Sequence, residues 1–181
     1  MQIAQQEFEN NHLSYVIRSA VEKDAEALSE IRLQIDGETE YLDREKGEAY
    51  IDKEGFIIII RDDRESINSL FLVAEGDGQL LAFSRCGGNQ LKRTCHQTEF
   101  GVAVLKKYWG HGIGQNLLKE SIQWADANNI QKIMLKVLGT NNKAIKLYKK
   151  YNFEVEGILK KDKLLSDGNY YDTILMGRLN L

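Results

Sequence analysis

One short segment rich in glycine limits the folds that are open to this chain. Tyr108-Trp109-Gly110-His111-Gly112-Ile113-Gly114 follows a predicted strand, Thr98 to Leu105, and leads into a predicted amphipathic helix, Gly112 to Ala127. The start of a helix leaves backbone N–H groups without partners, glycine lets the backbone approach a ligand closely, and the helix dipole adds positive potential. The segment therefore predicts a pyrophosphate site or, as the simpler alternative, a tight turn from strand to helix.

Two common nucleotide-binding motifs do not fit the spacing of these glycines. A P-loop ends in Gly-Lys followed by Ser or Thr, whereas Gly114 is followed by Gln115 and Asn116. A dinucleotide-binding fold needs Gly-x-Gly-x-x-Gly early in a strand–helix–strand unit, whereas the glycines here run Gly-x-Gly-x-Gly. The sequence therefore argues against both of these classes of site.

Periodicity along the rest of the chain predicts one mixed α+β domain. Apolar spacing predicts helices at Glu22 to Asp36 and Asn142 to Tyr151. A second helical stretch, richer in charge, is predicted at Asp43 to Lys53, and the flanks of Phe56 to Arg64 favour a helix there, although its run of isoleucines also suits a strand. Residue composition predicts further strands at Tyr15 to Arg18, Ser69 to Glu75, Gln79 to Arg85, Ile130 to Leu138, Phe153 to Lys163 and Tyr170 to Leu179. Gly76-Asp77-Gly78 predicts a hairpin turn, and Cys86 to Leu91 predicts a loop or bulge. We expect residues 1–14 to form a loose arm or an edge extension, and residues 15–181 to form the domain.

Composition and charge exclude several classes of function. The formal net charge of −3 gives no sign of a surface that binds nucleic acid without sequence preference. The two cysteines and three histidines lack the spacing of metal ligands, so no metal is expected. The first residues do not resemble a signal peptide, and no apolar run approaches the length of a membrane span. We therefore expect a cytoplasmic protein without a nucleic-acid or membrane partner.

The glycine segment resembles the acetyl-CoA motif of the GNAT acetyltransferase superfamily, Arg/Gln-x-x-Gly-x-Gly/Ala. Trp109 to Gly114 matches this motif at both glycines, with Trp109 where Arg or Gln is usual. Asn141 to Phe153 is similar to the family's Asn-x-x-Ala-x-x-Leu-Tyr-x-x-x-Gly-Phe, with Asn152 in place of the glycine. The resemblance extends from Tyr15 to Leu179. It implies a single GNAT-like domain with a central twisted mixed sheet, mostly antiparallel and flanked by helices, that holds its cofactor at a splayed strand pair.

The same resemblance implies roles for individual residues. Tyr148 is implied to be the general acid near the CoA sulfur, although its helical spacing also suits a core aromatic residue. Glu99 is implied to be the base, directly or through water, with a solvent-facing strand residue as the alternative. Asp172 is a further candidate for binding the amine, with a surface carboxylate as its alternative. The residues implied to contact the cofactor are Val102, Ala103, Val104, Trp109, Gly110, His111, Gly112, Ile113, Gly114, Gln115, Asn141, Lys143 and Tyr148.

An active N-acetyltransferase is the function that these motifs favour, one that transfers an acetyl group from acetyl-CoA to a primary amine by direct attack. A CoA-binding sensor or pseudoenzyme without turnover is the alternative. The acceptor stays open among a protein N-terminus, a polyamine and a small-molecule amine. Acidic residues between Asp36 and Glu48 suggest a cationic acceptor only weakly, because a solvated helix face explains them better. Homodimers are common in the family, and an exposed last strand would allow one here.

Overall fold

The structure, a computed structural model, describes residues 1–10 and 12–180. Its strands are β1 (Gln6–Asn10), β2 (Leu13–Ser19), β3 (Leu70–Gly76), β4 (Gln79–Gly88), β5 (Gln97–Val104), β6 (Lys132–Leu138), β7 (Glu154–Leu164) and β8 (Tyr170–Leu179). Its α-helices are α1 (Ala25–Asp36), α2 (Lys53–Glu65), α3 (Ile113–Ala127) and α4 (Asn142–Lys150), and short 3₁₀ helices occupy Glu22–Asp24 and Lys106–Tyr108. The strands form one sheet in the order β1-β2-β3-β4-β5-β6-β8-β7.

Strands β5 and β6 lie side by side in the sheet, but they are paired in parallel for only a short distance. Gln97–Glu99 pair with Lys132–Met134. After Glu99, β5 continues beside β4 to Val104, while β6 continues beside β8 to Leu138. The other neighbouring strands are antiparallel. The expected mixed, mostly antiparallel sheet with a splayed strand pair is therefore confirmed, and the splay exposes backbone polar groups along one edge of β5.

Each face of the sheet carries its own apolar cluster. Helices α1 and α2 pack on one face, where Leu28, Ile60 and Ala103 belong to the same cluster. Helices α3 and α4 belong to the cluster on the other face, which includes Leu117 and Phe100. Burying one large aliphatic side chain contributes roughly 1.5–3 kcal/mol, so the two clusters hold β5 firmly between the helix layers. Phe100 belongs to the cluster with α3 and α4, and Ala103 belongs to the cluster with α1 and α2. Because side chains alternate along a strand, the even-numbered positions of β5 face α3 and α4, and the odd-numbered positions face α1 and α2.

The isoleucine-rich run from Phe56 to Arg64 lies in a helix, α2, and this prediction is confirmed. Asp52 caps the helix by accepting a hydrogen bond from the Gly55 N–H at 2.9 Å. Phe56, Ile60 and Asp63 are buried at helical spacing, which shows that the period of burial outweighed the strand propensity of isoleucine.

The helix predicted from Asp43 to Lys53 is wrong, because residues 43–52 form turns and irregular backbone. Gly47 and Ala49 have positive φ angles of 90° and 42°, which a right-handed helix does not accommodate. The side chain of Glu48 instead accepts a hydrogen bond from the Glu45 N–H at 2.8 Å. Without an apolar stripe to bury, this charged segment gains little from helical pairing.

The loop or bulge predicted from Cys86 to Leu91 is wrong over its first three residues, because β4 continues through Gly88. Cys86, Gly87 and Gly88 pair with Phe100, Glu99 and Thr98 of β5. The fully buried Cys86 side chain anchors this extension in the core. As a consequence, a residue without a side chain, Gly87, lies directly opposite Glu99.

The two edges of the sheet are β1 and β7. Strand β1 pairs with β2, so residues Gln6–Asn10 extend the sheet at one edge. The last strand, β8, is not an edge of the sheet, because it lies between β6 and β7. The opposite edge is therefore formed by β7, a strand whose side chains are mostly exposed.

Candidate active site

The glycine segment forms the turn between β5 and α3 by way of the 3₁₀ helix Lys106–Tyr108. Gly110 and Gly112 have φ angles of 88° and 76°, in the left-handed region that glycine adopts without strain. Gly112 is the N-cap of α3, and no side chain caps the helix. The first hydrogen bond of the helix joins the Asn116 N–H to the Gly112 carbonyl at 2.9 Å.

A run of unpaired backbone donors results from this turn. Among the described residues, none accepts a hydrogen bond from the N–H groups between Gly110 and Gln115. The side chain of Ile113 is buried in the core, which holds the start of α3 against the sheet. A Cβ atom on Gly110 would have open space around it, so the surface of the turn is accessible. Free N–H groups at the positive end of a helix fit a phosphate group.

Neighbouring side chains hold the turn in place. The Trp109 indole N–H donates to the Val104 carbonyl at 2.8 Å, and its ring, 41% exposed, stacks on Tyr41 with the centroids 6.3 Å apart. Trp109 thus supports the turn through these two contacts. His111 Nδ1 lies 3.2 Å from the Tyr108 carbonyl.

Asn10, at the end of β1, is a supporting residue that the sequence pattern did not reveal. Its amide Nδ2 donates to the His111 carbonyl at 3.0 Å. The same nitrogen would lie 3.0 Å from a Cβ atom on Gly112. No local motif marks this residue, since it lies far from the glycines in the chain and meets them only through the sheet.

Three consecutive residues that are implied to contact the cofactor, Val102, Ala103 and Val104, lie directly beyond the splay. Ala103 is buried on the α1 and α2 face, whereas Val102 and Val104 are half-buried and pack on the α3 and α4 face. All three residues pair with β4 on one side, and the edge that faces away from β4 is no longer covered by β6. Apart from the Val104 carbonyl, which already accepts from the Trp109 indole N–H at 2.8 Å, that edge offers backbone donors and acceptors to an extended ligand rich in amides.

Glu99 is the last residue of β5 that pairs with β6. Its side chain lies on the face of the sheet that α1 and α2 cover further along, and it is 53% exposed. Lys136 Nζ, on β6, lies 3.6 Å from Glu99 Oε1 and is equally exposed. An exposed ion pair of this kind contributes little to stability. Because about half of the Glu99 side chain is exposed, its carboxylate is accessible at the point where the two strands separate.

Tyr148 lies on the other face of the sheet, on α4. It is 8% exposed and belongs to the cluster that includes Phe100, and its ring centroid is 5.8 Å from that of Phe153. Burial raises the pKa of Tyr148 to about 12. Its hydroxyl has no hydrogen-bond partner among residues 1–10 and 12–180, and it is not one of the fully buried unpaired polar atoms of that part of the chain, so it is left as a donor that a ligand can reach.

Asn141 and Lys143 begin helix α4. The Asn141 Oδ1 atom caps the helix by accepting from the Ala144 N–H at 3.2 Å, which leaves the amide Nδ2 as a donor. Lys143 is exposed, as are three further lysines on the helix, namely Lys146, Lys149 and Lys150. Helix α4 follows β6 in the chain, so its lysines add positive charge after the β6 strand of the splayed pair.

Three of the acidic side chains between Asp36 and Glu48 contact other parts of the chain. Glu38 accepts from the Lys106 N–H at 2.7 Å, Glu40 accepts from the Ser166 N–H at 2.8 Å, and Asp43 pairs with Lys163. These contacts tie the segment between α1 and α2 to the glycine turn and to the β7–β8 hairpin. Asp172 is held by Lys160 at 2.8 Å and by the Lys161 N–H at 2.9 Å, and these bonds lower its pKa.

A cavity of about 440 Å³ has none of the predicted site residues in its lining, although Leu105 and Lys107 belong to that lining. It is a groove between α1 and the β3–β4 hairpin, lined by Arg18, Asp24 and Glu75 among others. Within the part of the chain that the structure describes, no group of three or more His, Cys, Asp or Glu side chains is arranged to hold a metal ion. None of the described helices has the length and apolar character needed to cross a membrane.

Comparisons with known proteins agree with this arrangement. The model of the acetyltransferase (GNAT) family matches residues 33–153. The L-amino acid N-acetyltransferase AaaT of Escherichia coli (strain K12) is 36% identical over 118 residues, which are 65% of this chain and 71% of that protein. A GNAT-family acetyltransferase of Streptococcus pneumoniae has a solved structure with a TM-score of 0.88 and 30% identity, covering 91% of this chain and 99% of that one. The protein yncA of Salmonella typhimurium, solved with its cofactor acetyl-CoA, has the same fold with a TM-score of 0.80 and 20% identity, covering 92% and 94% of the two chains.

The chain therefore belongs to the GNAT acetyltransferase family. It is an N-acetyltransferase, and the expected family, fold and acyltransferase class are confirmed.

Proposed function

We propose that the chain transfers the acetyl group of acetyl-CoA to a primary amine by direct attack of the amine on the thioester. The observation that supports this most strongly is the run of free N–H groups from Gly110 to Gln115 beside the splay of β5 and β6. A tight strand–helix turn with no ligand would leave this series of donors unused, whereas a pyrophosphate is their natural partner.

The residues around the splay fit the remaining parts of the cofactor. Acetyl-CoA supplies the acetyl group as an activated thioester. The open edge of Val102–Val104 would hydrogen bond to the amides of the pantetheine arm, and the Asn141 Nδ2 atom would donate to the same arm. Lys143 would add a positive charge near the phosphates.

Glu99 is proposed to be the general base. An amine must lose its proton to attack a carbonyl carbon, and a carboxylate within hydrogen-bond reach, or one water away, can accept that proton. Glu99 is exposed at the point where β5 leaves β6. It therefore lies beside the opening through which an amine on the α1 and α2 face would reach the thioester.

Tyr148 is proposed to be the general acid. As the new C–N bond forms and the C–S bond breaks, the leaving thiolate needs a proton. The buried phenol, with its pKa raised to about 12, stays protonated at neutral pH and can donate. Glu99 and Tyr148 lie on opposite faces of the sheet, so the two proton transfers would occur on opposite sides of the splay.

A thiol-release assay tests this proposal. The purified chain is mixed with acetyl-CoA and, separately, with a polyamine, free amino acids and peptides that carry a free N-terminus. Free CoA is expected to accumulate faster with at least one class of amine than without amine. Saturable binding of acetyl-CoA with no release for any of these amines would overturn the proposal in favour of a CoA-binding sensor.

A further inference from the structure

Arg85 lies on the same face of the sheet as Glu99 and close to it. On β4, Arg85 pairs with Gly101 of β5, and the next residue on that face, Gly87, pairs with Glu99. A Cβ atom on Gly87 would lie 3.5 Å from Arg85 Nη1 and 3.6 Å from its Cζ. The guanidinium therefore lies along β4 above Gly87, in the place where a side chain opposite Glu99 would otherwise be.

Asp63 of α2 fixes the guanidinium in this position. Arg85 Nε donates to Asp63 Oδ2 at 2.6 Å, and Nη2 donates to Oδ1 at 2.9 Å. The Asp63 side chain is only 4% exposed, whereas that of Arg85 is 46% exposed. Among the described residues, none accepts a hydrogen bond from Nη1. One end of the guanidinium is thus anchored, and the other end presents free N–H groups to the face where an acceptor would enter.

The surface around these groups is open. Gly101 is exposed, and a Cβ atom placed on it would meet no atom within 4 Å. The glycines at 87 and 101 therefore leave a shallow floor beside Glu99. Arg85 stands on one side of Glu99, on β4, and Lys136 stands on the other side, on β6.

We propose that Arg85 binds the carboxylate of the acceptor, which makes the acceptor a free α-amino acid. This inference rests on the proposed function, since it assumes that the amine is delivered to Glu99. An α-amino acid separates its amine from its carboxylate by one carbon atom, so its two ends match a base and a guanidinium on neighbouring strand positions. A planar guanidinium held by a buried carboxylate suits this contact, because it is already oriented when the ligand arrives.

The same geometry distinguishes a free amino acid from the other amines. A peptide N-terminus carries an amide in place of the carboxylate, and a polyamine carries further positive charge. Neither gives Nη1 an anionic partner, and a polyamine places a cation next to Arg85 and Lys136.

The experiment compares free L-amino acids with their C-terminal amides as acceptors. The amide is the same size as the acid. Its amine is less basic, so a larger fraction of it is neutral and able to attack at neutral pH. A preference for the free acid therefore cannot come from the protonation of the amine. The test variant is Arg85→Gln combined with Asp63→Asn, because removing Arg85 alone would leave a buried carboxylate unpaired. The matched control is Arg178→Gln with Asp126→Asn, which removes another two-bonded pair, on β8 and α3.

We expect the wild-type chain and the control variant to prefer the free acid in kcat/KM by about ten- to a hundredfold, the range of one charge-assisted hydrogen bond. The Arg85→Gln/Asp63→Asn variant is expected to lose that preference through KM while its acetyl-CoA affinity is retained. Equal use of acid and amide by the wild-type chain, or an unchanged preference in the test variant, would overturn the inference and leave the proposed function standing. Absence of CoA release with every acid, amide, peptide and polyamine would overturn both.

Discussion

Substitution of Gly112 by valine tests whether the glycine turn holds the cofactor. Gly112 has a φ angle of 76°, which costs an L-residue about 1–2 kcal/mol and is a marked outlier for a β-branched side chain. Its Cβ atom would also lie 3.0 Å from Asn10 Nδ2. The turn is therefore expected to relax toward negative φ, and this rotation redirects the neighbouring N–H groups.

The expected effects on stability and on binding differ widely in size. A loss of about 1–2 kcal/mol leaves a domain of about 5–15 kcal/mol folded, and it lowers the Tm by about 2–8 °C for a chain of this size. Redirecting two N–H groups away from a phosphate removes about 3–6 kcal/mol, which weakens acetyl-CoA binding by about 10²- to 10⁴-fold.

Calorimetric titration of Gly112→Val with acetyl-CoA measures the loss of binding. Gly78→Val is the matched control, because Gly78 has a similar φ of 72° in the β3–β4 turn and open space around its Cβ position. The control is expected to show a comparable fall in Tm with unchanged affinity. If Gly112→Val binds acetyl-CoA as tightly as the wild-type chain, the assignment of the turn as the pyrophosphate site is wrong.

Three further substitutions probe the other parts of the site. Tyr148→Phe is expected to lower kcat by about 10²- to 10⁴-fold with little change in acetyl-CoA affinity, and a wild-type kcat would remove its role as acid. Because burial raises the pKa of Tyr148 from 10 to about 12, its protonated form stabilises the fold below pH 10, and this contribution is lost between pH 10 and 12. Thermal melts at several pH values should therefore show a steeper alkaline loss for the wild-type chain than for Tyr148→Phe, by about 3 kcal/mol at the end of this window; parallel curves would contradict the burial of the phenol. Glu99→Gln should reduce kcat/KM by about 10²- to 10⁴-fold at unchanged cofactor affinity, and unaltered turnover would show that another group takes the proton. Asn10→Ala removes the bond to the His111 carbonyl and should weaken acetyl-CoA binding by about two- to tenfold, whereas an unchanged Kd would show that the turn is held without it.

Features that depend on short stretches of sequence were predicted well. The turn at Gly110 and Gly112 and the helix that follows it are marked by residue type and apolar spacing, and the structure has them in the expected places. Helix α4 was predicted within one residue for the same reason. The splay of β5 and β6 came from the family resemblance, because no residue pattern alone shows where two strands separate.

Features that depend on contacts between distant residues were missed. The bond from Asn10 to His111 joins residues 101 positions apart, and the pair of Arg85 with Asp63 joins residues 22 positions apart across α2 and β4. The extension of β4 through Gly87 and Gly88 also escaped prediction, because two consecutive glycines favour a turn when they are considered alone. In the structure, pairing with β5 keeps both glycines in the strand. Since Gly87 has no side chain, the guanidinium of Arg85 can lie above it.

Between Asp43 and Lys53 the sequence predicted a helix that the structure does not contain. Its charged residues have ordinary helix propensity, yet propensity is a weak guide where no apolar face is buried. The segment instead uses Asp43 to pair with Lys163 of the β7–β8 hairpin. Long-range ionic and hydrogen-bonded contacts therefore determine the conformation of the segment between α1 and α2.

Calorimetric titration of the wild-type chain with acetyl-CoA tests the central claim most directly. The claim is that the free N–H groups from Gly110 to Gln115, together with the open edge of β5, form a cofactor site. Saturable binding with one acetyl-CoA per chain is the predicted result. No detectable heat of binding at millimolar acetyl-CoA, from a chain shown to be folded by its thermal melt, would contradict it.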